Sequence, residues 1–156
     1  LHPRVRRQRQ MCIRDSINTV RALYKVTHPR KHKQLGYIFK LLPYINLEYN
    51  IFCTDAFEQE LNQIKPLSMA DFCKLINCDI GQASRLQKDL KSLTFDYQGN
   101  QERLLSYVDD GNNTPHSKKI FVNPHIIYNG SDYKRVEILG IFYNTDNKST
   151  RHFANS

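Results

Sequence analysis

Hydrogen-bonding and basic side chains lie along one segment in the middle of the chain. Gln82, Ser84 and Arg85 carry amide, hydroxyl and guanidinium groups that can hydrogen-bond to base edges in the major groove of duplex DNA. Lys88 and Lys91 follow at helical spacing and could bind phosphates. An ordinary solvated helix face has the same residue types, so this interpretation depends on the elements around the segment.

The segment Asp79–Leu93 is predicted to be an amphipathic helix. Apolar residues recur at helical spacing opposite the polar set: Ile80, Ala83, Leu86, Leu90 and Leu93. Asp79 and Gln82 have the spacing of a capping box, in which each side chain bonds to the backbone N–H of the other residue. We therefore expect the helix to begin at Asp79.

A shorter helix is predicted just before it. Ser68 can cap its start, and Asp71 places a carboxylate in the first turn, where the helix dipole favours negative charge. Its apolar face is marked by three residues: Phe72, Leu75 and Ile76. The turn is Asn77–Asp79, and two helices joined by such a turn are typical of a helix-turn-helix.

A β-hairpin is predicted after the second helix. Leu104–Val108 and Lys119–Asn123 are β-prone, and the turn-forming residues Asp109–Asn113 stand between them. Alternation in the return strand places Phe121 on the face opposite its two neighbours. Pro124 ends that strand because it lacks a backbone N–H. The order of elements predicts an α+β fold, a winged helix-turn-helix with a small β-sheet and short N- and C-terminal extensions.

The hairpin also carries charge. His116, Lys118 and Lys119 could contact phosphates or the minor groove. Asp109 and Asp110 would repel phosphates, so we expect them at the base of the hairpin, away from a duplex.

The flanking segments predict smaller elements. We expect a strand at Asn18–Thr27, a basic loop at His28–Lys33 and a first core helix at Gln34–Tyr44. Tyr49–Cys53 is expected to be a short strand that pairs with the hairpin. Asp55–Ile64 is expected to form one or two helical turns with Phe57, Leu61 and Ile64 facing inward. We expect a strand followed by a turn at Phe95–Gly99, a helix or a strand at Val136–Tyr143, and a polar, frayed tail at Thr145–Ser156.

The first 16 residues differ from the rest of the chain in charge and composition. The chain carries +8, of which residues 1–16 supply +4 through five arginines and one aspartate. Arg9–Asp15 resembles a translated sequencing adapter, so we expect residues 1–16 to be a non-native segment. A basic arm that enters the minor groove is the alternative. We expect residues 17–33 to form the N-terminal strand and loop, 34–143 the winged helix domain and 144–156 the tail.

Enzyme chemistry is not indicated. His28 and His32 lack the spacing of a metal-binding pair, and His125 near Tyr128 has no second histidine beside it. Three cysteines, Cys53, Cys73 and Cys78, lack the spacing of a zinc site. No phosphate-binding Gly-Lys-Ser/Thr loop occurs. We expect no cofactor, no metal and no membrane span, and a cytoplasmic protein with reduced thiols.

The stretch Ile120–Ser131 resembles the end of the winged domain in RepL-type plasmid replication proteins. In that family the return strand closes with an Asn-Pro pair, followed by an apolar pair, a glycine and a basic segment, here Lys134 and Arg135. The helix Asp79–Leu93 resembles the family's recognition helix, and the resemblance covers about Leu35 to Phe142.

This resemblance implies double-stranded DNA binding in plasmid or phage replication initiation, with Lys134 and Arg135 on phosphates. A homodimer on repeated sites and contacts with host replication proteins are further implications. A transcription regulator of a mobile element and a winged-helix module that docks on proteins are the alternative interpretations.

Overall fold

The computed structural model describes residues 18–109, 111, 118–128, 130, 134–136 and 142. This part of the chain is α+β, with helices that precede two antiparallel sheets of two strands. The helices are α1 (18–26), α2 (His32–Leu41), α3 (Met69–Ile76) and α4 (Ala83–Lys91), with a short helical turn at 134–136. The strands are β1 (Thr94–Tyr97), β2 (Asn100–Arg103), β3 (Leu105–Asp109) and β4 (Lys118–Val122). Within these ranges no helix is long and apolar enough to cross a membrane.

The strand predicted at Asn18–Thr27 is wrong, because these residues form α1. Apolar residues alternate at Val20, Ala22, Tyr24 and Val26, which favours a strand, but Tyr24 is 48% and Val26 81% exposed. Val20 and Leu23 face the core instead, at the i, i+3 spacing of a helix. The loop predicted at His28–Lys33 is also wrong, because Pro29–Lys31 form a 3₁₀ turn and α2 begins at His32.

The core is divided by β4. Ile120 and Val122 pack with the helices α2, α3 and α4 in one cluster, whereas Phe121 packs on the opposite face with Tyr49 and Val136. The alternation predicted for the return strand is therefore confirmed, and both faces of the strand are buried.

The segment 49–53 pairs with β4 as predicted, but through an isolated bridge and not as a regular strand. Ile51 forms a bridge with Phe121, and the backbone N–H of Phe52 donates to the Ile120 carbonyl at 2.9 Å. Asn50, with φ of 53°, is buried and donates its side-chain N–H to the Val122 carbonyl. The helical turns predicted at Asp55–Ile64 are wrong, since this stretch contains only hydrogen-bonded turns and Phe57 is 39% exposed. Leu61 and Ile64 nevertheless pack into the cluster of Tyr49 and Phe121, as predicted.

A second hairpin precedes the predicted one. β1 pairs with β2 from Thr94 opposite Arg103 to Tyr97 opposite Asn100. Gln98 and Gly99 form its turn with φ of 51° and 80°, which is the positive-φ pair that tight hairpin turns require. The strand and turn expected at Phe95–Gly99 are thus confirmed. The strand that pairs with it, β2, was not predicted.

Two of the described cysteines should be protected in the folded protein. Cys53 and Cys73 are fully buried, whereas Cys78 is partly exposed. Burial raises the pKa of the Cys53 thiol to about 11, so little of the reactive thiolate exists near neutral pH.

In a Cys12→Ser background we expect iodoacetamide at pH 8 to modify Cys78 first. Cys53 and Cys73 should react at a comparable rate only after denaturation, as peptide mass spectrometry would show; fast native labelling of Cys53 would contradict this.

Candidate nucleic-acid interface

The helix α3 is held by the cap predicted at its start. The backbone N–H of Asp71 donates to Ser68 Oγ at 3.2 Å, and the Ser68 N–H donates to Asp71 Oδ2 at 2.9 Å. The helix ends at Asn77, whose φ of 58° places it in the left-handed region and lets the Cys78 N–H reach the Cys73 carbonyl. The turn into the next helix therefore has a defined geometry, which sets the direction of α4.

The start of α4 differs from the prediction. Asp79 Oδ1 accepts from the Gly81 N–H at 2.7 Å, and this bond caps a 3₁₀ turn at Ile80–Gln82, so the predicted capping box with Gln82 does not form. The α-helix itself begins at Ala83. A 3₁₀ turn has three residues per turn and not 3.6, so Ile80 does not align with the apolar face of α4. Ile80 is 53% exposed, and the prediction that it is buried is wrong.

The outer face of α4 is open. Leu86 and Leu90 are buried on its inner side. The five side chains predicted to contact DNA from this segment are all exposed: Gln82, Ser84, Arg85, Lys88 and Lys91. With about 100° between successive residues, Lys88 lies nearly opposite Leu86. The polar face thus projects away from the core, as the spacing predicted.

The hairpin β3–β4 lies along one side of this face. Lys91 Nζ lies 4.8 Å from the centroid of the Tyr107 ring, which joins the end of α4 to β3. Gln87, Tyr107 and Lys118 line a cavity of about 210 Å³ between the start of α3, α4 and the hairpin. Burial raises the pKa of the Tyr107 hydroxyl, so the ring stays neutral beneath the lysine. Gln87 and Tyr107 are members of this surface that the sequence pattern did not reveal.

The register of the hairpin separates its two lysines. Lys118 stands opposite Asp109 on the Tyr107 face, whereas Lys119 stands opposite Val108 on the other face. Lys118 therefore lies beside α4, and Lys119 does not. Asp109 is at the loop end of the ladder, so its predicted position at the base of the hairpin is wrong, and it reduces the positive charge around Lys118.

The predicted basic segment after the hairpin lies elsewhere. Val136 is buried in the cluster on the far face of β4. Its neighbour Arg135 donates from Nη1 to the Tyr49 hydroxyl at 3.4 Å and lies 5.5 Å from that ring. The structure therefore does not bring Lys134 and Arg135 together with the cations of α4. His116 and Asp110 lie outside the described residues.

The C-terminal end of α4 is bound by a residue distant in sequence. Lys31 Nζ donates to the Ser92 carbonyl at 2.9 Å, across 61 positions of the chain. A cation at this end also suits the negative end of the helix dipole. The contact places the start of α2 beside α4, a neighbourhood that no local pattern could reveal.

A buried polar cluster joins β2 to the turn after β4. Glu102 Oε2 lies 2.8 Å from His125 Nδ1 and accepts from Asn123 Nδ2 at 2.8 Å. The His125 ring stacks on Tyr97 with centroids 3.9 Å apart. These contacts connect the two hairpins, so His125 pairs with Glu102 rather than with Tyr128.

The described residues thus bring together one exposed polar helix face and a hairpin beside it. They contain no group of three or more His, Cys, Asp or Glu side chains that could hold a metal ion. Comparisons with family models, curated proteins and solved structures found no match to this chain, so the functional argument depends on the arrangement of α4 and the hairpin.

Proposed function

We propose that this protein binds double-stranded DNA as a winged helix-turn-helix, with α4 in the major groove and the β3–β4 hairpin as the wing. The observation that supports this most strongly is the outer face of α4. Its side chains are polar or basic and exposed, while its inner face is anchored by Leu86 and Leu90. A helix held in this way can present base-reading groups without distorting the core.

The contacts would differ by position along α4. Gln82, Ser84 and Arg85 precede or occupy the first turn, the part of a recognition helix that meets base edges. The cations farther along or beside the helix would contact phosphates: Lys88, Lys91 and Lys118. Lys119, Lys134 and Arg135 lie outside this surface and would bind a duplex only by a separate contact.

The biological setting follows from the resemblance to RepL-type proteins. We propose replication initiation of a plasmid or phage in the cytoplasm, at a site inside the origin, with no cofactor and no reaction catalysed by this chain. Repeated sites would suit a homodimer. Regulation of transcription by the same domain would instead place the site over a promoter.

A salt-dependent titration tests duplex binding. Fluorescence anisotropy with a library-selected duplex should give an affinity that falls linearly in log–log form with salt, with a slope of about −0.9 for each phosphate contacted. Footprinting should protect one face of the duplex. An affinity that is absent or independent of salt would contradict the proposal and favour a module that docks on proteins.

A further inference from the structure

Positive charge is concentrated in the part of the chain that contains α1 and α2. Residues 18–47 contain six Lys or Arg and no Asp or Glu, whereas residues 48–156 contain twelve Lys or Arg and fourteen Asp or Glu. The first stretch therefore carries +6 and the second −2. Clustered positive charge attracts polyanions, and these cations lie on helices that the proposed duplex contact does not use.

Two aromatic rings are exposed on the same helices. Tyr24 of α1 is 48% exposed and Phe39 of α2 is 38% exposed. The Tyr24 ring stacks on His32, with centroids 3.7 Å apart, and His32 Nε2 lies 2.8 Å from the Thr27 carbonyl oxygen. Phe39 follows His32 by seven residues, which is about two helical turns, so the two lie on the same side of α2.

No side chain covers the helix surface at Gly36, between His32 and Phe39. Gly36 lies one turn from each of His32 and Phe39, and no atom lies within 4 Å of the place where a side chain would begin. Arg21 lies one helical turn before Tyr24, Lys25 and Lys40 directly follow the two rings in sequence, and Lys33 Nζ lies 5.8 Å from the centroid of the Tyr37 ring. These exposed cations and the two rings define the α1–α2 face: Arg21, Tyr24, Lys25, Lys33, Phe39 and Lys40.

We propose that the α1–α2 face is a second nucleic-acid site that binds single-stranded DNA. Unpaired bases stack on Tyr24 and Phe39, and the phosphates between them lie against the flanking cations. A duplex cannot use the rings in this way because its bases are already stacked on one another. The site shares no residue with the proposed duplex interface, so either can exist without the other.

A lipid surface fits this face less well. Val20 and Leu23 pack into the core, which leaves Ala22 and Val26 as the exposed aliphatic side chains in the described part of α1. An interfacial helix needs a continuous apolar face, and α1 does not offer one. Flat rings interleaved with cations match bases and phosphates instead.

The test compares oligothymidine with an abasic oligonucleotide of the same length and charge, each titrated by anisotropy on the full chain. We expect the abasic strand to bind at least about fivefold more weakly, because it has phosphates but no bases to stack. The double variant Tyr24→Ala/Phe39→Ala keeps every charge and should weaken oligothymidine binding about tenfold or more. Phe57→Ala, which removes a similarly exposed ring elsewhere, should leave it unchanged.

The charge variant Arg21→Gln/Lys25→Gln should reduce the salt slope for oligothymidine by about 0.7 for each lost phosphate contact. Binding of duplex should stay unchanged in both variants, and Arg85→Ala should affect duplex alone, so the two sites are tested separately. Equal affinity for the abasic strand, or no effect of the double variant when circular dichroism shows it folded, would overturn the proposal. So would binding of anionic vesicles that the double variant abolishes while oligothymidine binding persists.

Discussion

Arg85→Ala should weaken binding to a specific duplex site by about 1–3 kcal/mol, because alanine cannot make the bidentate hydrogen bonds of a guanidinium to a base edge. Arg85 is exposed at the start of α4, so its loss should not disturb the core. The effect should be much smaller on duplex of unrelated sequence. Competition anisotropy with the selected site and a scrambled duplex measures this difference.

Lys88→Ala separates base contacts from phosphate contacts in the same experiment. It should weaken both duplexes alike and lower the salt slope by about 0.9. Lys65→Ala is the matched control, since Lys65 is an exposed lysine away from α4 and should change neither quantity. If Arg85→Ala and Lys88→Ala both bind like the parent protein, α4 does not contact the DNA and the proposed interface is wrong.

Glu102→Ala should lower the free energy of unfolding by about 3 kcal/mol, the largest stability effect we expect from a polar side chain here. Glu102 is 5% exposed and accepts from Asn123 Nδ2, and it lies 2.8 Å from His125 Nδ1. Removal of the carboxylate takes away one acceptor of the buried Asn123 amide, which keeps the Arg103 carbonyl at 3.0 Å, and also the group that pairs with the partly buried His125 ring. Urea denaturation followed by circular dichroism measures the change.

Two further variants sharpen this test. Glu102→Gln keeps the side-chain size and one acceptor oxygen, so it should lose less stability than the alanine variant. Gln101→Ala removes an exposed neighbour on β2 and should stay within about 0.5 kcal/mol of the parent. A denaturation midpoint for Glu102→Ala equal to that of Gln101→Ala would show that the cluster contributes no stability.

Local patterns in the sequence predicted much of the region around α3 and α4. The Ser68–Asp71 cap, the turn at Asn77–Asp79 and the exposure of Arg85 and Lys88 are all as expected. Each depends on residues within about four positions of one another, where side-chain geometry follows from spacing. The start of α4 departs from the pattern because Asp79 bonds to Gly81 and forms a 3₁₀ turn.

Burial in α1 could not be predicted from the same kind of pattern. Residues 18–27 fit both a period of two and a period near 3.6, and only the packing of Val20 and Leu23 against the core distinguishes a helix from a strand. The exposed Tyr24 and its stack on His32 depend on that outcome. The α1–α2 face is therefore a product of the tertiary structure.

By itself, the sequence determined that α2, α3 and α4 are amphipathic helices and which residues cap and end α3, because these features depend on neighbours along the chain. The tertiary structure decided which cations share a surface. In the folded chain Lys118 lies beside α4 because of its register in β4, and Arg135 contacts Tyr49 on the opposite face of that strand. Lys31 donates to the Ser92 carbonyl at the end of α4. Such contacts link residues far apart in sequence, so no spacing rule encodes them, and they form only when the shared core orders the helices around β4.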